Sequence, residues 1–344
     1  MNEKLLLLVD YRDYFYIACG KGDACLDVQL FSQQLRRLNF DVEVKQFSDI
    51  SFLRDNYSGW WVVYQSSEDP QLQYKSYIED VILGLQWQGA RLVPHINCFH
   101  AHHNKVFMEI FRDLSGVPAV QTISSREFGC LEELERGIDL ITYPVVIKPS
   151  SGQGSAGVAL AHGPSELLCL ARKLSSTFCF KEFGKNMVKR VLGRPQKSLH
   201  RRKFIVQNFI AGLKDDYKVL VLGDRYYVLR RGNRKNDFRA SGSGIFEYPP
   251  DAHKHLRHIL DYSKEIFQAF DCPLLSLDIG YDGATCHLLE FQFMHFGTFA
   301  AERAEMYYVY SGNDWAEIRE PCQLETVIAE SMAMYIGKKE DKLL

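Results

Sequence analysis

The sequence predicts an α/β protein, with an open, largely parallel sheet in its first hundred residues and an α+β arrangement after them. Two observations carry this expectation. Strand and helix patterns alternate up to about Pro94, as they do in a parallel sheet covered by helices. After Pro144 the pattern changes to short strands paired around glycine-containing turns, as antiparallel hairpins require.

Lys4–Asp10 is an apolar run that suits a buried first strand, and it is too short for a secretory h-region before Asp10 interrupts it. Cys25–Asn39 has helical spacing through Leu26, Leu30, Leu35 and Leu38. Val42–Phe47 alternates like a strand, and Trp60–Tyr64 is aromatic and β-branched. Gln71–Gln88 places Tyr74, Ile78, Val81, Ile82 and Leu85, with Tyr77, on one helix face, and Ala90–Pro94 reads as the next strand. Sheets of this kind bind ligands beyond the carboxyl ends of their strands, which directs attention to the loops Asp10–Gly22 and Gln65–Tyr74.

A helix over Asn104–Ser115 ends at Gly116, with Pro118 beyond it. Val145–Lys148 and Gly157–Ala161 flank a Gly/Ser turn, a helix covers Ser165–Leu174, and Phe204–Phe209 is a strand. Lys218–Leu222 and Tyr226–Arg230 pair around Gly223-Asp224. A helix over His253–Phe270 leads to Leu275–Tyr281, which pairs with Cys286–Phe293 around Asp282-Gly283. The expected units are residues 1–100, 101–206 and 207–344, without internal repeats.

Bulk properties exclude several function classes. With 344 residues, 46% hydrophobic and 24% charged, the chain is ordinary for a globular protein of two or three units. A net charge of −2 gives no general affinity for nucleic acid or anionic membrane, so any electrostatic message is local. No stretch reaches the roughly 20 apolar residues of a membrane span. The nine cysteines are scattered, odd in number and without a Cys-x-x-Cys pair, which argues against disulfides or structural zinc and for a cytoplasmic location.

Two constellations carry chemistry. Lys148 closes an apolar strand and is followed by Ser151, Gly152, Gly154, Ser155 and Gly157. An ammonium beside a loop of uncrowded backbone amides can hold polyphosphate, although such loops also serve as plain turns. Asp278 and Glu290 sit on the two strands around Asp282-Gly283, each within an apolar run, with Gln292 two residues on. Acids in such surroundings have cation partners, either arginines or a metal, and oxygen donors without Cys or His suit Mg²⁺. Between the two lie Lys218, Arg230, Arg231, Arg234, Lys235 and Arg239, a solvated face unless phosphate lies beneath it.

In this order the motifs resemble the ATP-grasp superfamily, which includes D-alanine–D-alanine ligase and glutathione synthetase. Asn104-Lys105 before Gly116-Val-Pro118 is similar to the family's opening, Lys148 to its strand lysine, and Ser151–Gly157 to its glycine-rich lid. Gln207, Asn208, Phe209 and Ile210 resemble the hinge strand along adenine, and Asp278, Glu290 and Gln292 fall on the metal-binding positions. The resemblance spans about residues 100–300 and implies two α+β lobes clasping ATP behind an N-terminal α/β domain. It implies a ligase that makes an acylphosphate from a carboxylate and couples it to an amine, with ATP and Mg²⁺ (or Mn²⁺) as cofactors. Lys105 and Lys148 would hold the α- and β-phosphates, and Arg239, with Lys218 or Arg231, the transferring group. The chain departs from the pattern at the hinge, where amides replace an acid, at Gln292, where asparagine is usual, and at Phe293–Gly297, which replaces a Pro-Gly loop.

Other features bear on substrate. Ser66, Ser67 and Glu68 at the end of the third strand, with His295 and Gly297, are expected to contact the non-nucleotide substrate; ordinary helix capping also explains the serines. His100, His102 and His103 follow Cys98, and line the cleft or, less simply, bind zinc. Nine Lys/Arg residues between Lys181 and Lys203 face only Glu182, either as a solvated helical insertion or as a dock for an anionic nucleotide- or lipid-linked precursor. The expected partners are therefore small-molecule acids and amines, with no nucleic acid, no membrane span and a homodimer as the assembly. An ATP-dependent phosphotransferase and a non-catalytic nucleotide-binding regulator are the alternative functions.

Overall fold

A computed structural model describes residues 2–15, 26–152, 156–234, 239–240, 243–248 and 255–341. The first unit is built from β1 (Glu3–Val9), α1 (Val28–Arg37), β2 (Phe40–Gln46), β3 (Trp61–Val63), α2 (Gln73–Trp87) and β4 (Arg91–Val93). Its four strands are all parallel in the order β2-β1-β3-β4, as the alternating pattern requires. Leu5 to Leu8 have no exposed surface because both faces of β1 are covered. Within α1 the buried positions are Phe31, Ser32 and Leu35, whereas Leu30 is exposed, so the leucine spacing misplaced the inner face by one residue. Helix α2 begins at Gln73, two residues later than expected, because Gln71 and Leu72 take left-handed backbone angles and Asp69 then accepts from the amides of Tyr74 and Lys75.

Helices α3 (Ile96–Ala101) and α4 (Lys105–Leu114) lead into the second sheet. That sheet contains β5 (Ser125–Phe128), β6 (Val145–Pro149), β7 (Ala159–Ala161) and β8 (Phe204–Asn208), antiparallel in the order β5-β8-β6-β7. Helix α5 (Leu131–Gly137) and then α6 (Pro164–Leu174) pack beside it, and α7 (Phe180–Val191) projects from the segment that returns to β8. Strand β8 runs across residue 207, where the sequence pattern divides the two lobes.

The third sheet is antiparallel, in the order β13-β12-β9-β10-β14-β15. Its strands are β9 (Asp215–Leu222), β10 (Arg225–Gly232), β12 (Leu274–Tyr281), β13 (Cys286–Gln292), β14 (Tyr307–Ser311) and β15 (Asp314–Ile318), with β11 (Phe246–Glu247) paired to β10. Helix α8 (Leu256–Ala269), the short α9 (Phe299–Glu302) and α10 (Leu324–Glu340) complete the chain. One face of the sheet packs on α8 and on residues 98–120. The other shares a continuous core with β1, α1 and α10, through residues such as Leu7, Phe31, Leu229 and Ile328. The first and third units are thus welded by apolar burial. No helix among the described residues is long and apolar enough to cross a membrane.

Candidate active site

The register of the third sheet sets out the polar residues of the site. Lys218 on β9 stands opposite Asp278 on β12, which stands opposite Glu290 on β13. In a pleated sheet such neighbours project to one face, so the three form a row across three strands. Gln292 joins that face two residues along β13, opposite Ser276. One rung away, Arg231 on β10 is opposite Asp216 on β9.

Charge pairing links these two rungs. The Arg231 guanidinium donates from Nε and Nη2 to Asp216 at 2.6 and 2.8 Å, and Nη2 lies 2.9 Å from Asp278 Oδ2. Lys218 donates to Ser276 Oγ at 2.9 Å and stands 3.5 Å from Asp278 Oδ1, which has no hydrogen bond. Burial alone would raise the Asp278 pKa, but Arg231 and Lys218 outweigh it and hold the carboxyl ionised. Burial, with the Asp278 charge nearby, pushes Asp216 the other way, above the usual carboxylate range. The one signal for Asp216 in the sequence is its spacing of two from Lys218, which places it on this face.

Lys105 begins α4 and crosses to Glu290 Oε1 at 3.0 Å, with Gly152 O at 3.4 Å. Its amide donates to Ser150 O at 2.7 Å, which ties the helix start to the loop after β6. Lys148, next to last in β6, lines the same cavity, where burial lowers its pKa against the opposing pull of Glu290. Two rows back on that sheet, Gln207 is paired with Val146; its Nε2 is buried without a hydrogen-bond partner. These residues border one cavity of about 390 Å³, whose apolar walls include Ile123, Val146, Phe209, Ile210 and Leu289. Asn208 and Arg239 also line it, Arg239 donating to Val158 O at 3.3 Å.

The glycine-rich loop is described at both ends only. Gly152 lines the cavity, Ser151 is exposed outside it, and Gly154 and Ser155 lie outside the described residues, as do Lys235 and residues 16–25 of the first loop. Gly157 has φ +76°, and a Cβ there would come within 3.2 Å of Pro149 Cγ, so only glycine fits this return into β7 without strain.

Glu68, His295, Phe296 and Gly297 also line the cavity. Glu68 Oε1 lies 3.2 Å from His102 Nε2 and 3.4 Å from His103 Nε2, while His295 Nε2 is 3.9 Å from Oε2. Ser66 lies behind this group, hydrogen-bonded to His102 Nδ1 at 2.8 Å, and Ser67 accepts from the Asp69 amide; neither lines the cavity. Burial holds all three imidazoles below their usual pKa, His295 down to about 3.

This arrangement has a stability consequence. A buried histidine that titrates below its unfolded value near 6.5 favours the folded state above that pH and loses the advantage as pH falls towards 3. Each such group costs about 1.4 kcal/mol per pH unit below its unfolded pKa. The thermal midpoint should accordingly fall as pH drops from 6.5 towards 3. His295→Asn, which tolerates the local φ of +54°, should make that fall shallower when both proteins are melted across the range. Identical slopes would contradict the assignment.

Metal donors can be judged from the same geometry. Asp278, Glu290 and Gln292 supply oxygen only, and one Asp278 oxygen has no hydrogen bond, which suits a hard cation that takes its other ligands from water and phosphate. Among the described residues no three His, Cys, Asp or Glu side chains are grouped to hold a metal by themselves.

No family model matches the chain, and no curated protein matches it. Solved structures do. A RimK domain ATP-grasp protein from Sphaerobacter thermophilus superposes with a TM-score of 0.51 at 11% identity, covering 96% of this chain and 99% of that one. D-cycloserine synthetase gives 0.50 at 14% identity, over 96% and 98%. N5-carboxyaminoimidazole ribonucleotide synthetase, in its ADP complex, gives 0.51 at 11% identity, over 85% and 70%. The chain has the ATP-grasp fold. The cavity between Gln207 and Glu290 is bordered by residues of both the second and the third sheet.

Proposed function

We propose that the chain is an ATP- and Mg²⁺-dependent ligase that activates a carboxylate as an acylphosphate and joins it to an amine. One observation carries this reading. The row Lys218–Asp278–Glu290, the cations Lys105 and Lys148, and the unsatisfied Gln207 amide all face a single cavity with apolar walls. A buried donor without a partner is costly, and an adenine ring acceptor would satisfy it. Two of the similar structures are named synthetases and one of them holds ADP, which agrees with the reading.

In this reading residues 1–100 precede two lobes, 101–206 and 207–344, that close on the nucleotide. Gln207, Asn208, Phe209 and Ile210 border adenine, and Lys105 and Lys148 hold the α- and β-phosphates as point charges. Asp278, Glu290 and Gln292 would hold Mg²⁺ (or Mn²⁺), which offsets phosphate charge when bound. An oxygen of the substrate carboxylate attacks the γ-phosphorus, the bond to the β,γ-bridging oxygen breaks, and ADP leaves. The amine, after its ammonium form has released one proton to solvent, attacks the acyl carbon, phosphate departs with the electron pair, and the nitrogen loses a second proton. Arg239, with Lys218 or Arg231, faces the charge that develops on the transferring group and on the tetrahedral oxyanion. Residues 152–157 would exclude water from the acylphosphate. The need for ATP and the free cysteines favour the cytoplasm.

Glu68 gives the acceptor end its selectivity. A carboxylate beside neutral imidazoles attracts a cationic amine, and Ser66 holds His102 in place behind it. Glu68→Gln is expected to raise KM for the amine about tenfold or more, as loss of a charged hydrogen bond would, while KM for ATP stays unchanged. Equal changes in both would remove Glu68 from the acceptor site. The reaction itself is tested by screening ADP release over amino acids, sugar acids and amines, with the amide identified by mass spectrometry. A stable phosphorylated product would assign a phosphotransferase instead.

A further inference from the structure

A surface helix ordinarily turns its apolar stripe towards the core. Helix α7 does the reverse. At 100° per residue, Phe180, Phe183, Met187, Val188 and Val191 fall on one stripe, and all are exposed, Phe180 and Val191 at 84%. Phe178, just before the helix, extends the stripe by packing edge-on against Phe180 and beside Phe183. The buried position is polar: Asn186 donates to Lys197 O at 2.7 Å and accepts from the Lys197 amide at 3.1 Å. The helix is therefore fastened to its own return loop by an amide, with its hydrophobic face directed outward.

Charge surrounds that face. Lys181 and Lys185 flank it on one side and Arg190 on the other, and the loop to β8 adds Arg194, Lys197, Arg202 and others. Nine cations stand against one acid in residues 178–203 of a chain whose net charge is −2, and that acid, Glu182, is already paired with Arg201. None of these residues lines the nucleotide cavity, so a small anionic substrate held in that cavity does not account for them.

We propose that α7 docks the chain on an anionic lipid bilayer, with Phe180, Phe183, Met187 and Val191 entering the headgroup boundary and the flanking lysines and arginines meeting lipid phosphate. An interfacial helix requires this combination: an apolar stripe with aromatic residues, basic flanks and a length that lies in the surface without spanning it. The convex, continuous stripe suits a flat partner, whereas an acidic protein would have to offer an apolar groove matched to three helical turns. The proposal does not depend on the ligase reading.

The test is flotation of the full-length chain with vesicles of phosphatidylcholine, or of equal parts phosphatidylcholine and phosphatidylglycerol. The chain should float with the anionic vesicles only, and less so as salt screens the attraction. Lys185→Ser with Arg190→Ser, both exposed, should weaken binding about twenty-five-fold, at roughly a factor of five per cation near the surface. Phe180→Ser with Val191→Ser should abolish it, and because these side chains are exposed neither pair should move the thermal midpoint. Absence of binding to anionic vesicles, equal binding to neutral ones, or indifference to both pairs of substitutions would overturn the proposal. Self-association through the same residues, without vesicle binding, would assign the face to a second copy and overturn it equally.

Discussion

An Asp278→Asn, Glu290→Gln double variant is expected to lose ATP turnover by roughly three orders of magnitude or more, since one electrostatic contact to a transition state commonly contributes 10²–10³. The side chains are nearly isosteric, so what is removed is charge. Asp278 pairs with both Arg231 and Lys218, and Glu290 is the partner of Lys105. Neutralising both leaves the two lysines facing neutral amides and removes the anionic oxygens available to a divalent cation. Two readouts separate the site from the reaction. Mg²⁺-ATP should raise the thermal midpoint of the wild-type chain, as any ligand of the folded state does, and should fail to do so for the variant. ADP release with an acid and an amine should fall in parallel. Normal turnover by the variant would refute the site. A lost midpoint shift without any ligase activity in the wild type would preserve nucleotide binding and refute the ligase reading alone.

What the sequence revealed of this site follows from the order of its motifs. Acids within apolar strands around Asp282-Gly283 marked Asp278 and Glu290, the family resemblance added Gln292 and Lys218, and the pairing of β9, β12 and β13 brings these residues together. Order along the chain supplied Lys105, although its contact with Glu290 crosses from a helix to a distant sheet and has no local signal. Asp216 was missed because an acid beside Asp215 at a strand start looks like solvated charge until Arg231 is seen opposite it. Ser66 and Ser67 were attributed to substrate from loop position alone, and the structure places them behind Glu68 and at a turn. No element was assigned to β5, α5 or anything beyond β13, including α10. That helix is buried on most sides between two sheets, so it lacks the one-sided pattern from which amphipathic helices are recognised. For α7 the stripe was present in the sequence, but its outward direction is decided by Asn186, which only the fold reveals.

The largest loss of stability is expected from a residue outside the cavity. Arg112 on α4 has no exposed surface, donates to Glu109 Oε2 at 2.8 Å and to Val120 O at 2.8 Å, and lies 5.5 Å from the ring centre of Phe291. Glu109 is equally buried and also accepts from Ser125 Oγ at 2.8 Å, which joins α4 to β5. Arg112→Ala would strand a buried carboxylate, at a cost of about 3–5 kcal/mol. The urea midpoint should fall accordingly. Glu109→Leu combined with Arg112→Met removes both charges and should recover much of the loss, though Val120 O then lacks its donor at about 1–3 kcal/mol. If the single and double variants were equally destabilised, the packing of the arginine stem would matter more than its charge. The clamp also reaches the site by two routes. Lys105 is the first residue of the helix that Arg112 fastens, and Phe291 separates Glu290 from Gln292 on β13. A loosened α4 lets the lysine drift from Glu290. The folded fraction of Arg112→Ala should therefore bind Mg²⁺-ATP more weakly even though Arg112 touches no part of the cavity.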